Sequence, residues 1–305
     1  MFKQSAIAVL MPAALTLGAA APALAQGEQT LRIGAIAEPD NEIVTRTAEH
    51  VLEERLGYDA ERVQTSIALQ YQGVADDSLD AMLVAWLPTT QAAYWEKYKD
   101  EVADLGVLFT GKIGWVVPDY IPESELASMD DLSTERVRER LDGRITGIDP
   151  GAGLMGKSKA AIETYGLDDY NLKPSSAAGM TAALDRAIRD EEWIVVTGWN
   201  PHWKFAKYDL RYLDDPENVF GGKEKIHALA RQDLREEAPR AAAFLSDYRM
   251  PLDVLQQAMV KVVENENAEQ AVTDLIEANQ DLIDDWVAEA KDKPKFGGDL
   301  AGSEG

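Results

Sequence analysis

Short apolar runs alternate with amphipathic segments in the first third of the chain. The apolar runs, each of the kind found in buried strands, occupy residues 31–37, 63–69 and 81–88. Residues 41–59 carry apolar side chains three and four positions apart, which predicts a helix with Asp40 or Asn41 as its cap. A short helix is also expected at 71–80. This βαβαβ order predicts parallel strands joined by right-handed crossovers.

The alternation continues along the chain and then gives way to helices. Further strands are predicted at 111–122, 144–149, 193–199, 208–215 and 225–231. Further helices are predicted at 89–106, 153–166, 180–192, 233–247, 251–264 and 267–290. Residues 291–305 combine Pro, Gly and charge without an apolar period, so disorder is expected there. The pattern predicts two α/β units, which bind ligands at the carboxyl ends of their strands.

The first 25 residues have the pattern of a secretory signal peptide. Lys3 precedes an apolar stretch of small residues, and Ala-Leu-Ala at 23–25 forms a cleavage site. Pro12 and the short apolar core disfavour the alternative of a membrane anchor. The chain has no cysteine, which leaves no disulfide and no site for a lipid anchor. We therefore expect a periplasmic protein that is secreted and not lipid-anchored.

Composition excludes several classes of function. The formal net charge of −24 disfavours binding to nucleic acid or to anionic lipid. Three histidines without metal-ligand spacing, in a chain without cysteine, predict no metal site. No residues have the arrangement of a nucleophile with its base or of a glycosidase acid pair, so neither catalysis nor a cofactor is expected.

The stretch Gly-Ala-Gly-Leu-Met-Gly-Lys-Ser at 151–158 fits a phosphate-binding loop and a dinucleotide fingerprint. A phosphate-binding loop also needs a strand that ends in an acid, but the best candidate strands end in Thr197 and Trp86. Nucleotide binding is therefore disfavoured. A glycine-rich turn that enters a helix still suits a carboxylate, and a plain capping turn is the equal alternative.

Trp86 and Trp199 end two buried strands, each beside a proline-containing loop. Most tryptophans are core residues, but these two hold matching positions in the two α/β units. Indole faces attract quaternary ammonium groups through cation–π contacts. Two indoles that bind a cation and a helix end that binds an anion together predict a receptor for a zwitterion.

Long segments of the chain resemble the glycine betaine/proline betaine substrate-binding proteins of osmoprotectant ABC importers. They include DAMLVAWLPTTQAAYWEKYKDEVADLG, GWVVPDYIP, ITGIDPGAGLM and IVVTGWNPHWKFAKYDLRYLDD. The resemblance implies an α/β, two-lobe periplasmic-binding-protein fold of type II, with the ligand in the interlobe cleft. It implies one lobe from 26–112 and about 208–290, and a second from 113–207. Trp86 and Trp199 then form a cage for the cation, and the Gly153 and Leu154 amides hold the carboxylate.

The chain departs from the family in two places. Pro39 stands where some members carry a third cage tryptophan, and Gln91 stands where many have histidine. Tyr71 is expected to replace the missing aromatic wall. Glu38 is either a carboxylate near the cation or a solvated acid. His202 is expected to pack or to hydrogen-bond within its loop.

The resemblance implies a monomeric receptor that is not an enzyme. It would deliver glycine betaine or a related onium zwitterion to a membrane permease with a cytoplasmic ATPase. Choline, carnitine or a sulfonium compound are alternative ligands. An exported enzyme acting on such a compound, and a sensory receptor, remain alternative functions.

Overall fold

A computed structural model describes residues 30–265 and 267–297, so the predicted signal peptide at 1–25 lies outside the described residues. The strands are β1 (Thr30–Ala35), β2 (Asp59–Gln64), β3 (Ala81–Leu87), β4 (Val102–Pro118), β5 (Arg144–Thr146), β6 (Asn171–Lys173), β7 (Val195–Asn200), β8 (Leu210–Tyr212) and β9 (Glu224–Arg231). The helices are α1 (Pro39–Glu54), α2 (Ile67–Ala75), α3 (Ala92–Tyr98), α4 (Glu135–Arg140), α5 (Gly153–Thr164), α6 (Ala177–Asp190), α7 (Lys204–Lys207), α8 (Leu234–Glu237), α9 (Pro239–Asp247), α10 (Leu252–Asn265), α11 (Ala268–Ala278) and α12 (Gln280–Lys291).

The strands form one sheet in the order β2-β1-β3-β9-β4-β7-β5-β6, with β8 paired to β4. β1 runs parallel to β2 and β3, as the βαβαβ pattern predicts, and β5 runs parallel to β6 and β7. The antiparallel pair β9–β4 joins these two parallel groups. The carboxyl ends of β1, β3, β5 and β7 therefore carry the loops that matter for ligand binding.

The long strand β4 changes partners along its length. Its residues up to Gly111 pair with β9, and from Lys112 onward they pair with β7. The two predicted lobes, 26–112 with about 208–290 and 113–207, stay a prediction.

The apolar side chains of the central elements build the core. Every residue of β3 is buried, as expected for a strand covered on both faces. α1 packs one apolar stripe inward, including Ile43, Val44, Val51 and Leu52, all without solvent exposure. Burial of each such side chain contributes roughly 1.5–3 kcal/mol to stability.

Several predicted boundaries are wrong for local physical reasons. The strand expected at 63–69 ends at Gln64, because Ser66 caps α2 and accepts a hydrogen bond from the Leu69 amide. The helix expected at 89–106 ends at Tyr98, and its later residues belong to β4. The helix expected at 267–290 is divided at Asn279.

The start of α1 also differs from expectation. Glu38 is its N-cap and makes no side-chain capping bond, while Asp40 and Asn41 lie inside the first turn. Asn41 Oδ1 instead accepts a hydrogen bond from the Ile36 amide. The Asp40 carboxyl accepts hydrogen bonds from the Asp40 and Asn41 amides at the start of the helix.

The carboxyl-terminal segment is structured further than predicted. Disorder was expected over 291–305, but the Phe296 ring packs edge-on against Tyr58, with 5.5 Å between centroids. The Gly297 amide donates to the Glu237 carbonyl at 2.9 Å. Residues 298–305 lie outside the described part of the chain. Among the described helices, none has the length and apolar character needed to cross a membrane.

Candidate functional site

A cavity of about 60 Å³ lies where the ends of β1, β3 and β7 meet the start of α5. Its lining consists of Ile36, Glu38, Asp40, Ile67, Val84, Trp86, Thr90, Gln91, Ile113, Ile148, Ala152, Gly153, Leu154 and Trp199. A cavity needs about 10–15 Å³ to hold one water molecule, so a volume of about 60 Å³ leaves room for a small molecule. It brings together six of the residues that the sequence singled out: Trp86, Trp199, Gly153, Leu154, Glu38 and Gln91.

The Trp86 wall of the cavity is fixed by backbone contacts. A Cβ atom on Gly111 would overlap the Trp86 ring, so the glycine gives this indole its place against β4. Beyond the cis Leu87–Pro88 bond, the buried Glu224 carboxylate accepts hydrogen bonds from the amides of Thr89 (2.6 Å) and Thr90 (2.8 Å). It also accepts one from the Thr90 hydroxyl. This wall therefore has a defined shape.

The Trp199 wall is surrounded by ionisable groups. The indole Nε1 donates to Asp40 Oδ1 at 3.3 Å. The His202 ring stands edge-on to the indole, with 4.4 Å between centroids. The Lys204 Nζ atom lies 4.2 Å from the Trp199 ring centroid. Both ring contacts come from the segment that follows the cis Asn200–Pro201 bond.

The start of α5 forms the third side of the cavity. Ala152 is its N-cap and provides no side-chain hydrogen bond, so the first amide groups, at Gly153 and Leu154, are left for another acceptor. A Cβ atom on Gly153 would overlap the Thr90 carbonyl oxygen, so only glycine lets this helix approach the loop after β3. The positive end of the helix dipole therefore faces the cavity.

Two carboxyl groups line the same cavity. Burial, followed by the charge of the neighbouring Asp40, raises the pKa of Glu38 to about 8 against the opposing effect of Lys204. Burial likewise raises the pKa of Asp40 to about 6, against the opposing effect of the Trp199 hydrogen bond. Both acids are therefore poised to change charge near neutral pH.

The basic residues behind Trp199 are also shifted. Burial lowers the pKa of Lys204 to about 7, while Glu38 and Asp40 act in the opposite direction. Burial, followed by the charge of Lys204, holds the pKa of His202 well below its usual value. The His202 Nδ1 accepts from the Lys204 amide at 3.0 Å, so the neutral ring carries its proton on Nε2.

Three predicted site residues lie elsewhere among the described residues. Tyr71 does not form a wall of the cavity, because its fully buried ring stacks on Tyr94 at 5.5 Å and its hydroxyl donates to Gln91 at 3.0 Å. It thus supports Gln91, which does line the cavity. Pro39 begins α1, between two acids that line it. His202 packs behind Trp199, in keeping with the packing expected for it.

Sequence reasoning missed three contributors to the site. Asp40 was interpreted only as a helix cap, although it lies in the first turn of α1 and also lines the cavity. Lys204 lies shortly after Trp199, but no local pattern in that motif distinguished it as a contributor. Glu224 gave no local signal, because it acts on the Thr89–Thr90 loop from more than 130 positions away.

The residues that imitate a phosphate-binding loop have other partners. Ser158 is buried inside α5 and accepts a hydrogen bond from the Trp115 indole at 3.0 Å. Within 30–265 and 267–297, no group of three or more His, Asp or Glu side chains is placed to hold a metal ion.

A second cavity of about 310 Å³ adjoins the first. The two share Ile36, Glu38, Ile67 and Ala152. The second cavity extends to the exposed residues Gln64, Ser66 and Ser176 at the surface. Glu38 therefore lies between the inner cavity and solvent.

Residues 29–278 match the family of substrate-binding domains of ABC-type glycine betaine transport systems. The chain belongs to this family. Its members are substrate-binding proteins of transporters, and they act outside the cytoplasmic membrane. The predicted family is thereby confirmed.

Individual relatives agree with this assignment. The glycine betaine/carnitine transport binding protein GbuC of Listeria monocytogenes is 42% identical over 151 residues, which cover 49% of this chain and 50% of the relative. The matched stretch thus spans half the length of that curated relative.

Solved structures confirm the type II periplasmic-binding-protein fold. The closed-liganded lactococcal OpuAC, complexed with glycine betaine, is 32% identical and has a TM-score of 0.78, covering 85% of this chain and 99% of that one. An ABC-transporter choline-binding protein in complex with choline is 26% identical with a TM-score of 0.81, covering 87% and 94%. The chain is thus similar both to a betaine-binding and to a choline-binding protein.

Proposed function

We propose that this protein is a periplasmic receptor that captures glycine betaine or a related onium zwitterion and delivers it to the permease of an ABC importer. The observation that carries the proposal is a single cavity lined by two indoles and by the uncapped start of α5. Trp86 and Trp199 hold the onium group, which has no N–H donors and is recognised by cation–π contact and shape. The Gly153 and Leu154 amides hold the carboxylate.

The Asp40 carboxyl adds charge to the onium end of this arrangement, and Glu38, whose pKa is raised to about 8, adds charge only above that pH. Asp40 receives the Trp199 indole hydrogen bond, so its charge lies at the edge of the ring that meets the cation. An ionised carboxylate in a dry cavity attracts a cation more strongly than one in water. These acids replace the third tryptophan that the resemblance implies for this loop.

Choline is the second candidate ligand, and the same two acids favour it when both are ionised. A quaternary ammonium alcohol has no carboxylate, so acidic side chains can balance its charge within the cavity. The similarity to a choline-binding protein supports this alternative. Carnitine and sulfonium analogues of betaine share the onium group, and the adjoining cavity offers space for a longer ligand.

Isothermal titration calorimetry of the mature chain with glycine betaine, choline, carnitine and a sulfonium analogue tests this proposal. We expect saturable binding of at least one of them, together with a change in tryptophan fluorescence. The absence of binding to all four compounds would overturn it. Mass spectrometry of the ligand after incubation distinguishes a receptor from an exported enzyme, since a receptor returns the ligand unchanged.

The permease as partner, the monomeric state and the signal peptide belong to the same proposal. Membership in a family of ABC transport systems supports delivery to a permease. Export is expected from residues 1–25, and the mass of the protein recovered from the periplasm tests it.

A further inference from the structure

Lys204 is a charged side chain in an unusual position. It has no solvent exposure, and its Nζ atom makes no hydrogen bond within the described part of the chain. An isolated buried ammonium is costly, so its place in the fold calls for compensation. That compensation comes from the indole of Trp199, 4.2 Å away, and from two carboxyls beyond it.

The carboxyls that act on this ammonium line the cavity. Glu38 and Asp40, at the start of α1, are the charged residues that influence Lys204. Asp149, in the loop between β5 and α5, acts on Glu38 in turn. His202 is neutral near pH 7 and adds no charge. The Trp199 ring is thus the partition between a buried cation and a cavity with two acids.

We propose that Lys204 determines ligand specificity: its ammonium behind Trp199 balances the acidic side chains of the cavity and so favours zwitterionic onium ligands over simple cations. This inference rests on the proposed function. Lys204 acts through Trp199 and through the charge of the cavity, and it does not line the cavity itself.

The charges explain the direction of the preference. Near pH 6.5 Glu38 is protonated, because burial raises its pKa to about 8, and Asp40 and Lys204 form a balanced pair. A zwitterion leaves that balance unchanged. A simple cation adds one uncompensated positive charge, which a buried site disfavours. Above pH 8 Lys204 loses its proton and Glu38 becomes ionised, so the cavity is acidic and favours a simple cation.

The test compares the affinities for choline and glycine betaine in native protein, Lys204→Met and Lys207→Met, at pH 6.5 and 8.5, by calorimetry. Lys207 is an exposed lysine of the same short helix and serves as the matched control. At pH 6.5 we expect the ratio of choline affinity to betaine affinity to rise at least about fivefold in Lys204→Met. Lys207→Met keeps the native ratio. The native ratio rises with pH, and this rise is smaller in Lys204→Met.

Asp40→Asn should change the ratio of choline affinity to betaine affinity in the opposite direction. It leaves Lys204 without its ionised partner, so the ratio falls below the native value at pH 6.5. Thermal melting of each variant verifies that it is folded. Native binding combined with an unchanged ratio in both Lys204→Met and Asp40→Asn overturns this inference alone. Failure of the native protein to bind either ligand overturns the proposed function and this inference with it.

Discussion

The two tryptophan loops hold their indoles by different means. The loop after β3 relies on shape, because Gly111 leaves room for the Trp86 ring. Glu224 holds this loop by accepting hydrogen bonds from the amides of Thr89 and Thr90 and from the Thr90 hydroxyl. The segment after β7 relies on charge, since the Trp199 indole donates a hydrogen bond to Asp40 and the Lys204 ammonium lies over its ring.

This difference separates two tasks within one cavity. In the proposed receptor, the wall fixed by backbone hydrogen bonds sets the size of the ligand head group. The wall bordered by groups with pKa values of about 6, 7 and 8 sets the charge that the proposed site tolerates. We therefore expect changes at the first wall to alter affinity for all onium ligands alike, and changes at the second to alter preference and pH dependence.

The largest effect is expected from removing an indole. Trp86→Ala and Trp199→Ala should each weaken binding of an onium ligand by about 2 kcal/mol or more, because a desolvated cation loses its π partner. Only Trp199→Ala should also change the pH dependence of the choline affinity. Calorimetry at pH 6.5 and 8.5 measures both quantities.

The matched control for these variants is Trp193→Ala. That indole stacks on Arg140 at 4.7 Å and lies away from the cavity, so its loss should leave affinity unchanged. Native affinity in the Trp86→Ala, Trp199→Ala double variant would show that the ligand binds elsewhere.

A smaller effect is expected from a methyl group at the start of α5. Gly153→Ala places a Cβ atom against the Thr90 carbonyl, so either α5 or the loop after β3 must move. We expect an affinity loss of about tenfold, since a displacement at the cavity misplaces the carboxylate donors. Gly156→Ala is the control, because its Cβ meets open space on the same helix. Equal affinities for the two variants would contradict the assigned role of Gly153.

The last effect concerns stability without ligand. Glu38 and Asp40 have folded-state pKa values raised above those of the unfolded chain, so the native state binds their protons more tightly. Their contribution to the free energy of unfolding therefore falls as pH rises from about 5 to 7. Urea denaturation at pH 5, 6 and 7 should show a smaller fall in the Glu38→Gln, Asp40→Asn double variant than in native protein. If the free energy of unfolding had the same pH dependence in both proteins, these carboxyls would be solvated and not buried.

The sequence signalled the residues whose role depends on local pattern. Trp86 and Trp199 end apolar strands, and Gly153 lies in a glycine-rich turn before a helix, so each was visible within a few positions. The parallel order of β1, β2 and β3 was equally local. The antiparallel insertion of β9 between β3 and β4 was not, because it joins segments that lie far apart in the chain.

The charged partners could not be predicted for the same reason. Asp40 and Trp199 are 159 positions apart, and their hydrogen bond exists only after the two parallel groups of strands meet. Burial that moves a pKa is likewise a property of the packed site. Tyr71 was misassigned because the pattern of α2 did not reveal which neighbours its ring would meet, and those are Tyr94 and Tyr98.

The position of Glu38 between the two cavities has a consequence for how quickly the site adjusts. The outer cavity reaches exposed Ser66 and Ser176, so Glu38 has a route to water that does not pass through the inner cavity. A proton displaced from Glu38 by an arriving cation can leave through this side without the ligand moving. Proton exchange with the buffer and release of the ligand are then separate events, and each has its own rate.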